Sequence, residues 1–567
     1  RNQCEEVLAA IWAEILDVTQ VGIEDNFFEL GGHSLLATQV ISRLPKAFQV
    51  ELPVRALFEA ETVAGLAERV ESARQMKTAL IRSPISVDLT GEEQVLSFGQ
   101  QRLWFLDQLE SQSSAYNISG ALRLTGPLNQ NALECAFHEI VKRHEILRTS
   151  FISVDGNPIP VVEPVLKPSV ETVDLSGLPE GEKSESISRY MQETVNEPFD
   201  LSKTPLIRMK LLKVAVLDRE IQNQNNLPTG EEHILCIVIH HIISDAWSIG
   251  IFVREMSILY ESFVDDNCSP LPELTIQYAD FARWQHNWLS GDALESQLDY
   301  WREQLAHTPS LLELPSRRPR PLIPSYKGST EHFCINKNLR EKLHALCRKS
   351  GVSLFMVLNA ALSVLLSRYS GNEDIVVGVP IANRNRKEVE PVIGFFINTL
   401  VIRTDLSGDP DILELLDRVR QTTLDAYDHQ DIPFERLVEE LQPERNMSYT
   451  PLFQVMFTML NVPTENFDLK GLNITPLELE NTTTKYDLSL TITELDNSLQ
   501  GTWQYNKDLF DSPEMALMLT HFQNLLEAIT DESYRTIWEL PLLSENEERQ
   551  LLREWSGEHA EYPDQTG

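Results

Sequence analysis

Ile234-Leu235-Cys236-Ile237-Val238-Ile239-His240-His241-Ile242-Ile243-Ser244-Asp245 joins an apolar run to the residues most open to chemistry. The first six residues are uninterrupted and rich in β-branched side chains, which at this length reads as a strand buried on both faces. Cys236 within it reads as a small buried hydrophobe. Neighbouring strand residues point to opposite faces, so one histidine can pack inward while the other faces a cavity. Asp245, four residues beyond His241, can fix the loop by pairing with an arginine. On these residues alone, a core histidine with a satisfied hydrogen bond is the commoner reading. Zinc is disfavoured, because adjacent strand histidines diverge and no cysteine or carboxylate cluster accompanies them. A Ser-His-Asp hydrolase is disfavoured as well, since the sequence holds no Gly-x-Ser-x-Gly elbow.

Around this stretch the chain alternates helical and extended patterns. Residues 131–147 and 413–427 read as helices, and Ile375 to Val379 as a second buried strand. Residues 221–232 are polar, with Pro228 and Gly230, and read as a surface loop. At 567 residues the chain is too long for one core and implies several structural units. A hydrophobic fraction of 42% and a charged fraction of 23% are those of a globular protein, not a disordered one. The net charge of −37 repels phosphate backbones and argues against a nucleic-acid partner. No apolar run approaches the roughly 20 residues of a membrane span. The six cysteines have neither CxxC pairing nor zinc spacing, and fit free thiols in a reducing cytosol. No metal site is expected.

The first 75 residues differ in pattern. Val7, Leu8, Ile11, Trp12, Ile15 and Leu16 recur at helical spacing, and later helices carry Leu35, Leu36, Val40, Ile41 and Leu44, then Val63, Leu66 and Val70. Pro45 is expected to interrupt or end the second of these. Between the first two lies Leu30-Gly31-Gly32-His33-Ser34, with Ser34 at a helix start. The glycines permit a tight turn and leave the hydroxyl open. The helix N-terminus there would favour an attached phosphodiester. An ordinary N-cap serine accounts for the same residue.

Longer comparison of patterns separates these readings. Asp25-Asn26-Phe27-Phe28-Glu29-Leu30-Gly31-Gly32-His33-Ser34-Leu35-Leu36-Ala37 resembles the signature of peptidyl carrier domains. His240-His241-Ile242-Ile243-Ser244-Asp245 resembles the HHxxxDG motif of condensation domains of nonribosomal peptide synthetases. Six further stretches resemble that family's other motifs in order: Leu96 to Leu106, Arg143 to Phe151, Tyr278 to Gln285, Ile393 to Arg403, His429 to Phe434, and Pro451 to Val455. One departure is clear: the family's glycine after the aspartate is Ala246 here.

The resemblance implies a multidomain fold. An all-α carrier domain of four-helix type (1–75) would be followed by a linker (76–93) and an α/β condensation domain. That domain would be V-shaped, with two lobes resembling chloramphenicol acetyltransferase, divided as 94–265 and 266–540. Residues 541–567 would form a connector toward an adenylation domain, and the chain would be one piece of a longer polypeptide. Ser34 would carry 4′-phosphopantetheine, attached by a phosphopantetheinyl transferase. His241 would be the main catalytic residue, beside His240. Asp245 would pair with Arg143 or Arg148, and Asn398 would contact the reacting group. The implied activity is amide bond formation between a donor held on Ser34 and an aminoacyl group on a downstream carrier. An upstream adenylation domain and downstream adenylation and carrier domains would be partners. The sequence Gly31-Gly32-His33-Ser34 points to an L-configured donor. Two alternatives share the histidine pair: an epimerisation domain, and a degenerate domain that only recruits partners.

Overall fold

The structure is a computed structural model. It describes residues 2–76, 85–87, 94–109, 113–216, 231–443, 446, 448–460, 467–477, 479, 483–495, 497–531 and 536–555. Most of the expected linker (76–93), residues 221–230 of the expected surface loop (221–232) and the tail 556–567 lie outside the described residues, while Glu231 and Glu232 of that loop begin strand Glu231–His240 instead.

Helices Gln3–Leu16, Ser34–Phe48, Arg55–Glu59 and Val63–Met76 make the first domain. The first begins in a capping box: Asn2 Oδ1 accepts the Glu5 N–H at 2.7 Å while the Glu5 carboxylate accepts the Asn2 N–H at 2.8 Å. Leu8, Trp12, Phe27, Val40, Leu44, Leu66 and Val70 are fully buried between the helices. Trp12 meets Phe27 edge-on, with ring centroids 4.9 Å apart. Pro45 neither interrupts nor ends its helix, which continues to Phe48. It forgoes one backbone N–H donor, but only one turn of helix follows it, and its carbonyl still accepts the Gln49 N–H at 3.0 Å.

Among the described residues the second domain has two large sheets and a small two-stranded one, Thr149–Val154 with Asn157–Val162. In the first, strands Asn473–Leu477, Asn117–Gly126, Glu231–His240, Ile207–Val216 and Val170–Asp174 lie side by side in that order. The expected strand at 234–239 sits at its centre, with Ile234, Leu235, Cys236, Val238 and Ile239 at most 2% exposed. Helices Gln130–Arg143 and Ala246–Val264 cover this sheet. In the second, the order is Gly328–Ile335, Ser498–Asn506, Leu488–Leu495, Val455–Leu460, Asp374–Ile381 and Asn398–Asp405. Helix Leu354–Ser370, buried along Leu354 to Ser367, and helix Ser512–Ile529 pack against it. No single helix among the described residues is long and apolar enough to cross a membrane.

Two expected boundaries need correction. The division at 265/266 does not hold in space, because Asn473–Leu477 pairs antiparallel with Asn117–Gly126 and closes an edge of the first sheet. Tyr278, Phe281, Ile393, Phe396 and Leu469 are also buried in that lobe's core. A connector starting at 541 begins too early. Leu542 O accepts from Asn524 Nδ2 at 3.0 Å, and Glu547 meets His521 at 3.0 Å, so both belong to the packing of helix Ser512–Ile529.

Candidate active site

Ser34 is set by the loop before it. Gly31 has φ +96°, a conformation that side chains other than glycine rarely adopt. Gly32 lies against Phe27, where a Cβ would stand 2.3 Å from the ring. The N-cap is His33, without a side-chain hydrogen bond, so Ser34 is the first helical residue and its hydroxyl has no capping role. That removes the ordinary N-cap reading. Ser34 and Leu35 line a cavity of about 180 Å³ together with Ala246, Trp247, Ile397 and Met459. Burial pushes the Tyr427 phenol up, and a hydrogen bond with Ser34 draws it back.

Charge complementarity seats the first domain over this cavity. Arg43 grips Glu390 with two hydrogen bonds of 2.5 and 2.9 Å. Arg55 pairs with Asp425 and, at 3.0 Å, with Asp428. Arg420 donates to Phe58 O at 3.1 Å. His33 is pushed down to about 4 by burial, partly offset by Glu494 of the second domain.

The histidine pair ends the central strand of the first sheet. His240 Nδ1 accepts the Ile242 N–H at 3.1 Å, and the ring packs among Phe199 and Tyr116. Burial, with the charges of His241 and Lys485, pushes it down to about 3. His241 opens a 3-10 turn, its N–H donating to Tyr116 O at 2.8 Å. Its Nδ1 lies 2.8 Å from Ser244 O, an acceptor only, so Nδ1 carries the proton and Nε2 keeps its lone pair. Burial, then the nearby Lys485, holds His241 down at about 4, so the ring is neutral near pH 7. The Phe395 ring stands edge-on to it at 5.0 Å.

Asp245 caps helix Ala246–Val264 by accepting the Ser248 N–H at 2.8 Å, and its other oxygen accepts the Phe396 N–H at 2.9 Å. Its arginine is Arg384, at 3.3 Å and 2% exposed. The expected partners are engaged elsewhere. Arg143 binds Glu255 at 3.0 Å, and Arg148 binds Glu145 at 3.1 Å. Arg143 ends helix Gln130–Arg143 and Arg148 ends the 3-10 turn Glu145–Arg148 that follows, where Glu255 and Glu145 are their carboxylate partners. Arg384 also donates to Val389 O, Val392 O and Ser248 Oγ, and its guanidinium lies 4.0 Å from the Phe396 ring centroid. It therefore clamps residues 389–396 against the helix that carries Asp245.

Asn398 does not face the reacting groups. Its Nδ2 donates to Gln430 O at 3.0 Å and Ile432 O at 2.8 Å, while its Oδ1 accepts the N–H groups of Thr399 and Phe434. All of its common hydrogen-bonding capacity is spent on backbone, so it pins the 430–434 loop to a strand. Ala246 is exposed to the cavity and has no positive φ, so its methyl fits the backbone without strain.

The cavity fits the phosphopantetheine group. It is lined by Ser34, whose hydroxyl has no capping role, by apolar side chains such as Phe355, Val379 and Ile397, and by the Asp245–Trp247 segment. His241, four residues earlier, is not among its lining residues. Ser34 would hold the arm, which would supply a thioester-bound acyl donor. Among the described residues no cluster suited to a metal ion occurs.

Comparison with known proteins agrees. Residues 91–552 match the condensation domain family, and residues 6–70 match the phosphopantetheine attachment site. A linear gramicidin synthase of Brevibacillus parabrevis is 46% identical over 565 residues, which is 99% of this chain and 11% of that protein. Malpinin synthetase of Mortierella alpina is 40% identical, covering 97% of this chain and 7% of its own length. The chain thus spans about a tenth or less of these curated relatives. A solved complex of the X-domain and OxyB from teicoplanin biosynthesis aligns with TM-score 0.73 at 27% identity, covering 82% of this chain and 99% of that one. With family matches over nearly its whole described length, the chain belongs to the condensation domain family, that domain being preceded by a phosphopantetheine attachment domain.

Proposed function

We propose that this segment forms an amide bond in nonribosomal peptide synthesis. An acyl group held through the arm on Ser34 passes to the amine of an incoming aminoacyl group. The amine nitrogen bonds to the thioester carbonyl carbon, the C–S bond breaks, and one amine proton leaves with the thiol. The observation that carries this is the position of Ser34: it lines one cavity with Asp245, Ala246 and Trp247, the segment that follows the His241 turn in the chain.

His241 acts here through its Nε2 lone pair, which accepts an N–H of the incoming amine and aims the amine's own lone pair at the carbonyl. A group held near 4 is a weak proton acceptor at pH 7, and an α-amine of pKa about 7.7–8.0 is already partly neutral there. Orientation therefore supplies the larger share of the rate, since effective molarities of well-placed groups reach about 10⁵–10⁸ M. Asp245 and Arg384 hold the turn, and His240 packs behind it.

The finer parts of the reading are these. The donor ends in an L-residue, consistent with Gly31-Gly32-His33-Ser34. A phosphopantetheinyl transferase loads the arm, an upstream adenylation domain charges it, and a downstream carrier presents the acceptor. The likeness to an X-domain solved with OxyB favours a second reading, in which this domain docks a partner and forms no bond. One experiment separates them. The chain is treated with coenzyme A analogues bearing matched donors ending in L or D, mixed with a loaded acceptor carrier, and followed by intact-protein mass spectrometry. Amide product that forms faster from the L-donor supports the reading. Loading at Ser34 without any product supports recruitment, and faster D-transfer overturns the stereochemical assignment.

A further inference from the structure

Two residues of the second domain touch the carrier with opposite charges, and they sit at the two ends of one short segment. Arg386, just before the 3-10 turn Lys387–Val389, pairs with Glu51 at 3.6 Å. Glu390, just after it, accepts from both terminal nitrogens of the Arg43 guanidinium. The Arg43 and Glu390 side chains are only 14% and 17% exposed, and a bidentate pair of this kind fixes direction as well as charge. Two other contacts fall on helix Ile412–Asp428 instead: Arg55 holds its Asp425 and Asp428, and its Arg420 holds Phe58 O.

The same segment also holds the turn that carries His241. Glu390 O accepts the Trp247 indole N–H at 3.0 Å, two residues beyond Asp245. Val389 O and Val392 O take the guanidinium of Arg384, which pairs with Asp245. Gly394 exchanges two hydrogen bonds with Ser248 Oγ, at 2.9 and 3.1 Å. Phe395 O accepts from the Tyr278 hydroxyl at 2.6 Å, the Phe395 ring stands edge-on to His241, and the Phe396 N–H binds Asp245. Glu390 thus meets the carrier through its carboxylate and the helix after His241 through its carbonyl. Because close-packed interiors transmit displacement, a shift of this segment moves Phe395 and the bonds to Asp245 together.

We infer that Glu390 is a positioning residue of the amide-forming centre: Arg43 of the docked donor carrier grips it, sets residues 386–396, and so sets the Phe395 ring against which His241 stands. The carrier contacts exist only in the docked state, so they favour one position of the segment only then. Arrival of the donor and readiness of the centre become one event. A carrier lacking the cation of Arg43 and the carboxylate of Glu51 would deliver its donor to a poorly set centre. The inference rests on the reading of His241 as the residue that receives the amine, but its first readout does not depend on turnover.

The whole chain carries 4-fluorophenylalanine at Phe395 and is followed by 19F NMR. Arg43→Gln, which leaves the contacts of Arg55 and Arg420 in place, should move the resonance, and Glu390→Gln should move it the same way. The double variant should show no further shift, because either change alone breaks the pair. Arg43→Lys, which keeps the charge, should bring the resonance back toward its wild-type place. Arg55→Gln loosens docking without touching the segment and should leave the resonance where it is. In single turnover at saturating acceptor carrier, transfer from Ser34 should slow by about tenfold in Arg43→Gln, within the roughly 10²-fold that a 1 Å misplacement costs, while the half-saturating acceptor concentration stays constant. An unmoved resonance in Arg43→Gln overturns the inference, as does an equal shift in Arg55→Gln or a sum of shifts in the double variant. A moved resonance in a chain that makes no amide would leave this inference standing and count against the proposed function alone.

Discussion

Arg384→Ala should destabilise the condensation domain far more than Arg148→Ala, and the structure fixes the difference. The Arg384 side chain is 1% exposed and the Asp245 carboxylate 3% exposed. Its removal leaves that buried charge with only the N–H groups of Ser248 and Phe396, and strips Val389 O and Val392 O of their guanidinium donor. Breaking a buried pair from one side costs about 3–5 kcal/mol; the two retained N–H bonds put this case near ~3 kcal/mol. Arg148 faces Glu145, whose side chain is 36% exposed, at 3.1 Å. Such a pair contributes about 0–1 kcal/mol, and its bond to Glu163 O adds about 1 kcal/mol. The assay is urea unfolding followed by tryptophan fluorescence, with Trp247 lying 5.6 Å from the Arg384 guanidinium. Equal m-values make the midpoints comparable. A double-mutant cycle with Asp245→Asn should show a coupling above about 1 kcal/mol. A cost for Arg384→Ala no larger than that of Arg148→Ala would refute the reasoning.

Three further outcomes follow from single residues. Ala246→Gly should keep or raise the transfer rate while lowering stability by no more than about 1 kcal/mol, since the alanine starts a helix and faces the cavity; a clear loss of rate would mark the methyl as a selected feature. His33 is held at about 4 when docked against roughly 6.5 when free, so the docked carrier binds fewer protons than the free one. Docking is therefore at full strength above about pH 6.5 and weakens as pH falls toward 4, which fluorescence transfer between the domains would follow; a pH-independent signal, or an unchanged slope in His33→Gln, contradicts this. Asn398→Ala strands four backbone groups and should cost about 2–4 kcal/mol; unaltered urea stability with activity lost would return Asn398 to the chemistry.

Much of this architecture was legible because its signals are local. The apolar run 234–239 had to be a buried strand, and the 413–427 periodicity gave helix Ile412–Asp428 almost to its ends. Residues 131–147 overran, because helix Gln130–Arg143 stops at His144 and a 3-10 turn follows. Ser34 and His241 stand in stretches distinctive enough to read unaided by structure. The partner of Asp245 was not readable in the same way. Arg384 lies in Asn383-Arg384-Asn385-Arg386-Lys387, a run that looks like a solvated loop, and only the crossing of 389–396 into the first lobe buries it. Asn398 was misjudged because neighbourhood in a motif says nothing about which way an amide points.

The central claim is that a donor on Ser34 is transferred at His241. It is tested most directly by single-turnover mass spectrometry of the intact chain, charged through Ser34 with an aminoacyl donor and mixed with an aminoacyl-loaded acceptor carrier. The account predicts that the acyl mass leaves Ser34 and appears on the acceptor as one amide-linked adduct. Ser34→Ala should take up no donor, and His241→Ala should load normally but transfer about 10²-fold more slowly, the loss expected when the amine is misplaced. Transfer by His241→Ala at the wild-type rate, or loading that persists in Ser34→Ala, would contradict it.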